Sequence, residues 1–479
     1  MTTIASTLTL ADAPRTEHVT TADTRATAAE PLATHPLVPV LGADLQVPLL
    51  GGASARFVNL DYAATAPAAD LVAERVAQVL PFAGSVHRGA GLTSQASSAL
   101  YEASRDAVGR ALGARPDDAV IFTRATTDST NLLASAVPAG RGDVIALDIE
   151  HHANLLPWQR SAAGLRAVAH AATLEETLWR LELALTEKQA ALLAVTGASN
   201  VTGELLPIER LAELAHRHGA RLFVDAAQLA PHRAIDLARA GADYLALSGH
   251  KLYAPYGSGV LVGRSDWLDA AEPYLAGGGA VREVALHRTD WATGPRRHEA
   301  GTPNLAGAVA IAAAFEVLGS LTAEDGTDLR EAHERQLRER VLDGLSELPG
   351  VDVVRIWDDS EDAIGVVTFT VAGHEAGHVA AYLSGEHGIG VRDGRFCAHP
   401  LLARFGIDGA LRASFGLGSR LADADRLVDA IRQLVTIGPR QRYCVGSNGW
   451  APEHDDRDLQ GWLGLDLGGA APSASPCRS

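Results

Sequence analysis

The chain has 479 residues, 47% apolar and 5% aromatic, with a net charge of −17. That length allows two domains with sizeable cores, and the composition is that of a soluble globular protein. The acidic balance argues against a nucleic-acid binder, which needs a basic face to neutralise phosphates, and no apolar run reaches the about 18 residues of a membrane span.

Residues 1–50 are rich in Thr and Ala and lack a charged start followed by an apolar core. No secretory signal is expected there, and the segment reads as a poorly ordered leader. From "RFVNLDYAATAPA" onward, helical and strand patterns alternate. This predicts an α/β fold with a mainly parallel sheet over residues 51–295. "SQASSALYEASRDAVGRALGA" carries Ala96, Ala99, Leu100, Ala103, Ala107, Ala111 and Leu112 at helical spacing. "DDAVIFTR", "DVIALDIE", "ALLAVTGAS", "RLFVDAAQ", "DYLALSGHK" and "GSGVLVG" read as strands, and "PIERLAELAHRHGA" as an amphipathic helix.

From about Arg296 the pattern shifts toward a smaller α+β domain, residues 296–440. "LAGAVAIAAAFEVLGSL" and "EAHERQLRERVLDGLSEL" predict long helices, "AIGVVTFTV" a strand, and "ADRLVDAIRQLVTI" a late helix. Residues 441–479, rich in Gly, Asp and Pro, read as an irregular tail. Cysteines at 397, 444 and 477 set out no C-x-x-C pair and no disulfide framework, the pattern of a reducing cytosol.

The chemistry concentrates in "RLFVDAAQLAPHRAIDLARAGADYLALSGHKLYAPYGSG". One apolar strand ends in Asp225, a second in Ser248, His250 and Lys251. In open parallel sheets, ligands bind beyond the carboxyl ends of strands, so Asp225 and Lys251 are expected at one site. An amine beside a carboxylate is what pyridoxal phosphate requires: a Schiff base to the aldehyde and a partner for the protonated pyridine nitrogen. A strand-end lysine alone would be a solvated surface charge; the two motifs together lift it above that. In "FTRATTDSTNLLA", Thr126 and Thr127 stand at a helix start suited to a phosphate, or to an ordinary N-cap. His151 or His152 in "DIEHHANLLPWQ" could stack on a ring or shuttle a proton. Arg392 in "GVRDG" and Arg412 in "ALRASFG" are candidates for a substrate carboxylate.

Two lookalikes are set aside. "HEAGH" at 374–378 matches a zinc-protease pattern, but Gly373 precedes it directly after a strand and Gly377 interrupts it, and it reads as a strand-to-helix turn with no metal. The glycines of "GSGVLVG" and "LAGGGAV" precede no helix and are poor dinucleotide fingerprints.

The runs "LDYAATAP", "VHRG", "EHHANLLPWQ", "SNVTGELLPI", "VDAAQ", "SGHKLYAPYGSG", "EAGTPN", "GVRDGRFCAHP" and "LRASF" occur in that order over residues 55–435. Together they resemble the class V aminotransferases of the type I pyridoxal-phosphate fold, the sulfur-mobilisation cysteine desulfurases and selenocysteine lyases above all. The resemblance implies an aspartate aminotransferase-like fold with Lys251 carrying the cofactor. Asp225 would pair with the pyridine nitrogen, Gln228 with the phenolic oxygen, and His151 would stack on the ring. Thr126, Thr127, Ser248 and His250 would hold the phosphate, and Thr302 the phosphate of a partner subunit in a homodimer. Asn200 and Arg412 would hold the substrate carboxylate, with Arg392 at the mouth.

Cys397 falls on the family's persulfide-forming cysteine, with Arg392 or Arg395 lowering its thiol pKa. The implied reaction is cytoplasmic conversion of L-cysteine to L-alanine, with sulfur passed to an acceptor protein. The alternative is another enzyme of the same fold: a selenocysteine lyase, a C–S lyase, an epimerase or an aminotransferase. The chain departs from the family pattern where Arg395 and Phe396 replace a His pair before the cysteine. Taken without its neighbours, Cys397 would be a small buried hydrophobe. Asp393, Gly394 and Arg395 instead suggest an exposed, flexible loop.

Overall fold

The computed structural model describes residues 31–447 and 449–464. β1 (Gln46–Pro48) and β2 (Ser54–Arg56) form an antiparallel ribbon, followed by β3 (Val58–Asn59), α1 (Asp70–Val79) and α2 (Leu92–Ala111). The chain then alternates as its apolar pattern predicts. β4 (Asp118–Thr123), α3 (Thr126–Ala136), β5 (Asp143–Leu147), α4 (Leu156–Arg160) and β6 (Leu165–Val168) come first. α5 (Leu174–Glu187), β7 (Ala190–Thr196), α6 (Ile208–Arg217), β8 (Arg221–Asp225), β9 (Tyr244–Ser248) and β10 (Gly259–Arg264) follow.

These strands form one sheet in the order β4-β10-β9-β8-β7-β5-β6. Neighbours from β9 to β6 pair in parallel, and β10 runs antiparallel to both of its neighbours. All of β7 and β9 is buried. Alternate residues divide between two cores: Leu193, Val195 and Val224 enter one, and Leu192, Ala194 and Phe223 the other. A sheet buried on both faces needs apolar side chains at every position, which is why these strands read as unbroken runs.

α5 had no expectation in the sequence reading, yet it has a local cause. Thr173 accepts the N–H of Glu176 at 3.2 Å, and Glu175 and Glu176 sit in the first turn, where the helix dipole favours acids.

Beyond α7 (Ser265–Ala270) and the hairpin of β11 (Val281–Ala285) and β12 (Arg288–Trp291) lie α8 (Leu305–Gly319) and α9 (Leu329–Ser346). β13 (Val351–Val353), β14 (Val366–Val371), α10 (Ala376–His387), β15 (Ile389–Gly390) and β16 (Arg392–Gly394) follow. α11 (His399–Phe405), β17 (Ala410–Ser414) and α12 (Leu421–Thr436) complete this part. A second, antiparallel sheet has the order β13-β14-β17-β16. Its core joins Leu337 and Val341 of α9, Tyr382 and Leu383 of α10, and Leu427 and Ile431 of α12. α8 belongs elsewhere: Ala310, Ile311 and Ala314 enter the large-sheet core, across the expected boundary at 295/296. A helix apolar nearly all round has to be buried on several sides.

Both expected ends are revised where they are described. Residues 32–50 are not a loose leader. Ala33 is fully buried, the Leu37 N–H donates to the Leu417 carbonyl at 2.7 Å, and Val58 and Leu60, just beyond, join the second core. Residues 1–30 of the leader lie outside the described residues, as do 465–479 of the tail. The earlier part of the tail forms the hairpin of β18 (Tyr443–Gly446) and β19 (Gly449–Pro452), then α13 (Leu459–Leu463). Cys444 is disulfide-bonded, which corrects the expectation of no disulfide.

"HEAGH" is the expected turn into a helix: α10 begins at Ala376, and Glu375 accepts from Trp450 Nε1 at 3.1 Å. Among the described residues no three metal-ligating side chains converge, and no helix is long and apolar enough to cross a membrane.

Buried Glu386 of α10 fastens the tail. It accepts the N–H groups of Arg440 and Gln441 and Arg440 Nε, each at 3.0 Å, and the Tyr443 hydroxyl at 3.2 Å. Glu386→Ala leaves these donors without their acceptor and should destabilise the attachment by about 1–3 kcal/mol. Hydrogen exchange should then accelerate over residues 440–452 while the large sheet stays protected.

Candidate active site

The carboxyl ends of the parallel strands open on a cavity of about 330 Å³. β8 delivers Asp225 and, just beyond it, Gln228; β9 delivers Ser248, His250 and Lys251; the segment after β5 delivers His151; the segment after β7 delivers Asn200. Thr126 and Thr127 open α3 on the same cavity. The second sheet contributes Arg392 from β16, Arg412 from β17, and Phe396 and Cys397 from the intervening loop. All the expected site residues except Thr302 therefore meet here.

Lys251 ends a short helical turn, Gly249–Lys251. Burial pushes its ammonium down to about 8, with the charge of Asp225 pulling the other way. Asp225 is buried too. Desolvation raises its carboxyl above the ordinary range, opposed by the Ala227 N–H at 3.0 Å and by the Lys251 charge. Each group is pushed toward its neutral form by burial and back toward its charged form by the other.

His151 Nδ1 accepts the Ala153 N–H at 3.0 Å, which leaves the ring proton on Nε2. Burial, with the Lys251 charge, lowers this imidazole to about 3, so it is a neutral flat ring at neutral pH. Next to it Glu150 is fully buried, and desolvation raises its carboxyl well above the usual range. Glu150 accepts from Asn154 Nδ2 at 2.6 Å and from the Thr196 N–H at 3.1 Å. Sequence reasoning missed Glu150; an acid ending the apolar run "DVIALDIE" was the available signal.

At the start of α3, the Thr126 N–H donates to Ser248 Oγ at 2.8 Å, and the two hydroxyls lie 2.7 Å apart. The N-cap residue, Ala125, brings no capping side chain of its own, and the positive end of the helix suits an anion. His250 Nδ1 lies 3.1 Å from Thr65 Oγ1, and burial lowers the ring to about 4.

Arg412 Nη1 donates to the Asn200 carbonyl at 2.8 Å and Nη2 to Asp61 Oδ1 at 3.1 Å. Its buried Nε has no partner. Asp61 went unnoticed in the sequence, because nothing local to "LDYAATAP" marks an arginine partner some 350 residues away. Gln228 donates to the Ala63 carbonyl at 2.7 Å and leaves Oε1 buried without a partner.

The Cys397 loop departs from expectation. Cys397 is exposed and is a free thiol, but its backbone is tied down. The His152 N–H donates to the Cys397 carbonyl and Asn200 Nδ2 to the Phe396 carbonyl, both at 2.9 Å. Asn200 thus turns its amide to the loop. Phe396 and Cys397 both have left-handed backbone, φ 52° and 53°. That costs roughly 1–2 kcal/mol per non-glycine residue and persists only where surrounding contacts hold it. Arg395 reaches away from the thiol, its Nε donating to the Asp408 carbonyl at 3.0 Å. Thr302 is exposed and outside its own chain's cavity, beside Gly301, whose N–H donates to the Gly278 carbonyl at 2.9 Å.

The donor set fits pyridoxal phosphate. It offers an amine of lowered pKa, a buried carboxylate, a flat neutral ring and a helix start whose N-cap residue is an alanine. Two buried polar atoms, Gln228 Oε1 and Arg412 Nε, lack a protein partner.

Residues 58–427 match the aminotransferase class-V family model, and the chain belongs to that family of type I pyridoxal-phosphate enzymes. Among its relatives, the cysteine desulfurase CsdA of Escherichia coli is 37% identical over 79% of this chain and 94% of its own length. A probable cysteine desulfurase of Mycolicibacterium paratuberculosis is 34% identical over 79% of this chain, and the match spans 55% of that longer protein. The solved apo structure of a cysteine desulfurase from Thermococcus onnurineus aligns with a TM-score of 0.72 at 34% identity, covering 79% of this chain and 94% of that one.

Capture of pyridoxal phosphate by the cofactor-free protein needs the neutral amine of Lys251. Its rate, followed by visible absorbance, should rise with pH up to about 8 and level off above. An ordinary lysine would keep climbing through about 10. Asp225→Asn removes the charge that holds the ammonium up, so the plateau should begin at lower pH.

Proposed function

We propose that this enzyme is a cysteine desulfurase that converts L-cysteine to L-alanine and takes the sulfur onto Cys397 as a persulfide. The observation that carries this reading is a free thiol lining the same cavity as Lys251, Asp225 and Arg412. The relatives named cysteine desulfurase support it.

Lys251 would bind the cofactor through its amine. Asp225 would pair with the pyridine nitrogen and Gln228 with the phenolic oxygen, while His151 stacks on the ring. Thr126, Thr127, Ser248 and His250 would receive the phosphate, with Thr302 reaching the phosphate of a partner subunit in a homodimer. When bound, pyridoxal phosphate supplies a sink for the negative charge that develops at the substrate α-carbon.

Arg412, joined by Asn200, orients the substrate through its carboxylate from the cavity wall. Arg392 stands at the mouth. Lys251, depressed to about 8, has an appreciable neutral fraction near pH 7 and moves the α-proton. The Cys397 thiolate attacks the substrate sulfur. A new S–S bond forms while the substrate C–S bond breaks, its electron pair staying with the carbon skeleton that becomes alanine. The persulfide then passes to an acceptor protein. A cytoplasmic location belongs to the same reading; the free thiol of Cys397 supports it and the Cys444 disulfide runs against it.

The tethers on the Cys397 loop favour a second reading, a C–S or selenocysteine lyase of the same fold in which the thiol does not move toward the substrate. Pyruvate and ammonia from L-cysteine would mark the C–S lyase.

Purified enzyme given L-cysteine should release alanine. Lys251→Ala should abolish turnover, and Cys397→Ala should abolish alanine and persulfide while leaving cofactor absorbance intact. Alanine production unchanged in Cys397→Ala would overturn the persulfide role. Arg412→Lys, which loses the planar fork, should raise KM by about tenfold or more.

A further inference from the structure

We propose that Phe396 is a positioning residue whose aromatic face serves both ends of the reaction, seating Arg412 for the substrate carboxylate and holding the backbone that presents Cys397. The proposal rests on the desulfurase reading and deepens it.

Three side chains close a ring around the cavity wall. Arg412 Nη1 donates to the carbonyl of Asn200. Asn200 Nδ2 donates to the carbonyl of Phe396. The Phe396 ring lies over the Arg412 guanidinium, 5.4 Å from Cζ to the ring centroid. Phe396 is 5% exposed, so this cation–π contact is largely shielded from water, where such contacts are strongest.

The contact also explains how the guanidinium is aimed. Its Nη1 and Nη2 are fixed by Asn200 and Asp61, and the ring covers one face. The guanidinium lines the cavity, and its unpartnered Nε is itself buried. A planar carboxylate matches the guanidinium fork. An aliphatic side chain of similar bulk would fill the space without attracting the cation.

The other end of the link is the backbone. Phe396 and Cys397 are consecutive non-glycine residues with left-handed φ. Such strain needs outside contacts to hold it. Here they are the bonds to the Phe396 and Cys397 carbonyls and the buried ring itself. Removing the ring takes away the only side-chain anchor at the residue before the thiol. The neighbouring Arg395 side chain cannot replace it, being turned to Asp408.

The test uses cofactor-loaded enzyme and two readouts other than turnover. One is the affinity for L-alanine, which carries the carboxylate but no sulfur, titrated by cofactor absorbance. The other is the rate at which iodoacetamide alkylates Cys397, followed by mass spectrometry of the peptide carrying it. Phe396→Ala should weaken L-alanine binding about fivefold, the effect of a cation–π contact of ordinary strength, and should speed alkylation measurably. Phe396→Tyr should keep both values at wild type.

Phe396→Leu should leave L-alanine binding weakened, and it carries the test if Phe396→Ala fails to fold. Wild-type L-alanine affinity in Phe396→Leu or Phe396→Ala overturns the proposal, as does an unchanged alkylation rate in Phe396→Ala. Cys397→Ala separates the two readings. It should retain L-alanine affinity and lose alanine production; retained production would overturn the persulfide role of Cys397 and leave the L-alanine titrations to decide the role of Phe396.

Discussion

The site depends on one unfavourable act of burial: placing the Lys251 amine beside the Asp225 carboxylate at the end of the large sheet. Alone, either group would shed its charge. Together each supports the other's charge, and the balance leaves Lys251 at about 8. An amine in that range reacts with a carbonyl and exchanges protons near neutral pH, which a solvated lysine does poorly. The same burial strips His151 and His250 of positive charge, to about 3 and about 4. The cavity therefore presents neutral imidazoles beside one tunable cation.

Parallel strands make this possible. β8 and β9 run side by side, so their carboxyl ends emerge together. A second sheet, wound around its own core, brings Arg392, Phe396, Cys397 and Arg412 to the facing wall. Recognition and sulfur chemistry thus come from one unit of structure and proton chemistry from the other. At the cavity wall they are joined by Arg412 to Asn200 and Asp61, Asn200 to Phe396, and His152 to Cys397.

What was legible in the sequence follows from where the determining forces lie. The large-sheet strands other than β6, which had no expectation, and the helix α2 carry their cause in local apolar periodicity, and they emerge close to the expected bounds. Asp225 and Lys251 were readable because a strand end fixes where a side chain emerges. Helix α5 was passed over although both signals were present, the cap of Thr173 on Glu176 and a buried stripe of Leu178, Leu181, Ala184 and Leu185. Asp61 and Glu150 hid because their roles depend on partners brought by the fold. The Cys397 loop misled in the other direction. Gly394 and its charged neighbours suggest flexibility, but the backbone after Gly394 is held by residues about 200 and 250 positions away, which no local pattern encodes.

The segments outside residues 58–427, the span matched by the family, have a structural logic of their own. The ribbon β1–β2 and the hairpin β18–β19 both come to α10. The Leu50 N–H donates to the Gly385 carbonyl at 2.9 Å, while Glu386 gathers Arg440, Gln441 and Tyr443. A side chain at Gly385 would meet Leu50 within 2.8 Å and the Tyr443 hydroxyl within 3.2 Å, so glycine is what lets both segments close on the helix. At the other end of α10, Gly377 admits Trp450 at 2.9 Å, with the Asp393 carboxylate at 3.5 Å from the same point. Asp393 lies between Arg392 and Gly394 on β16, the strand that leads to Cys397. The two added segments therefore brace, through one helix, the strand that carries the mouth arginine and enters the nucleophile loop. A loop holding two consecutive strained residues gains most from a strand that cannot shift beneath it.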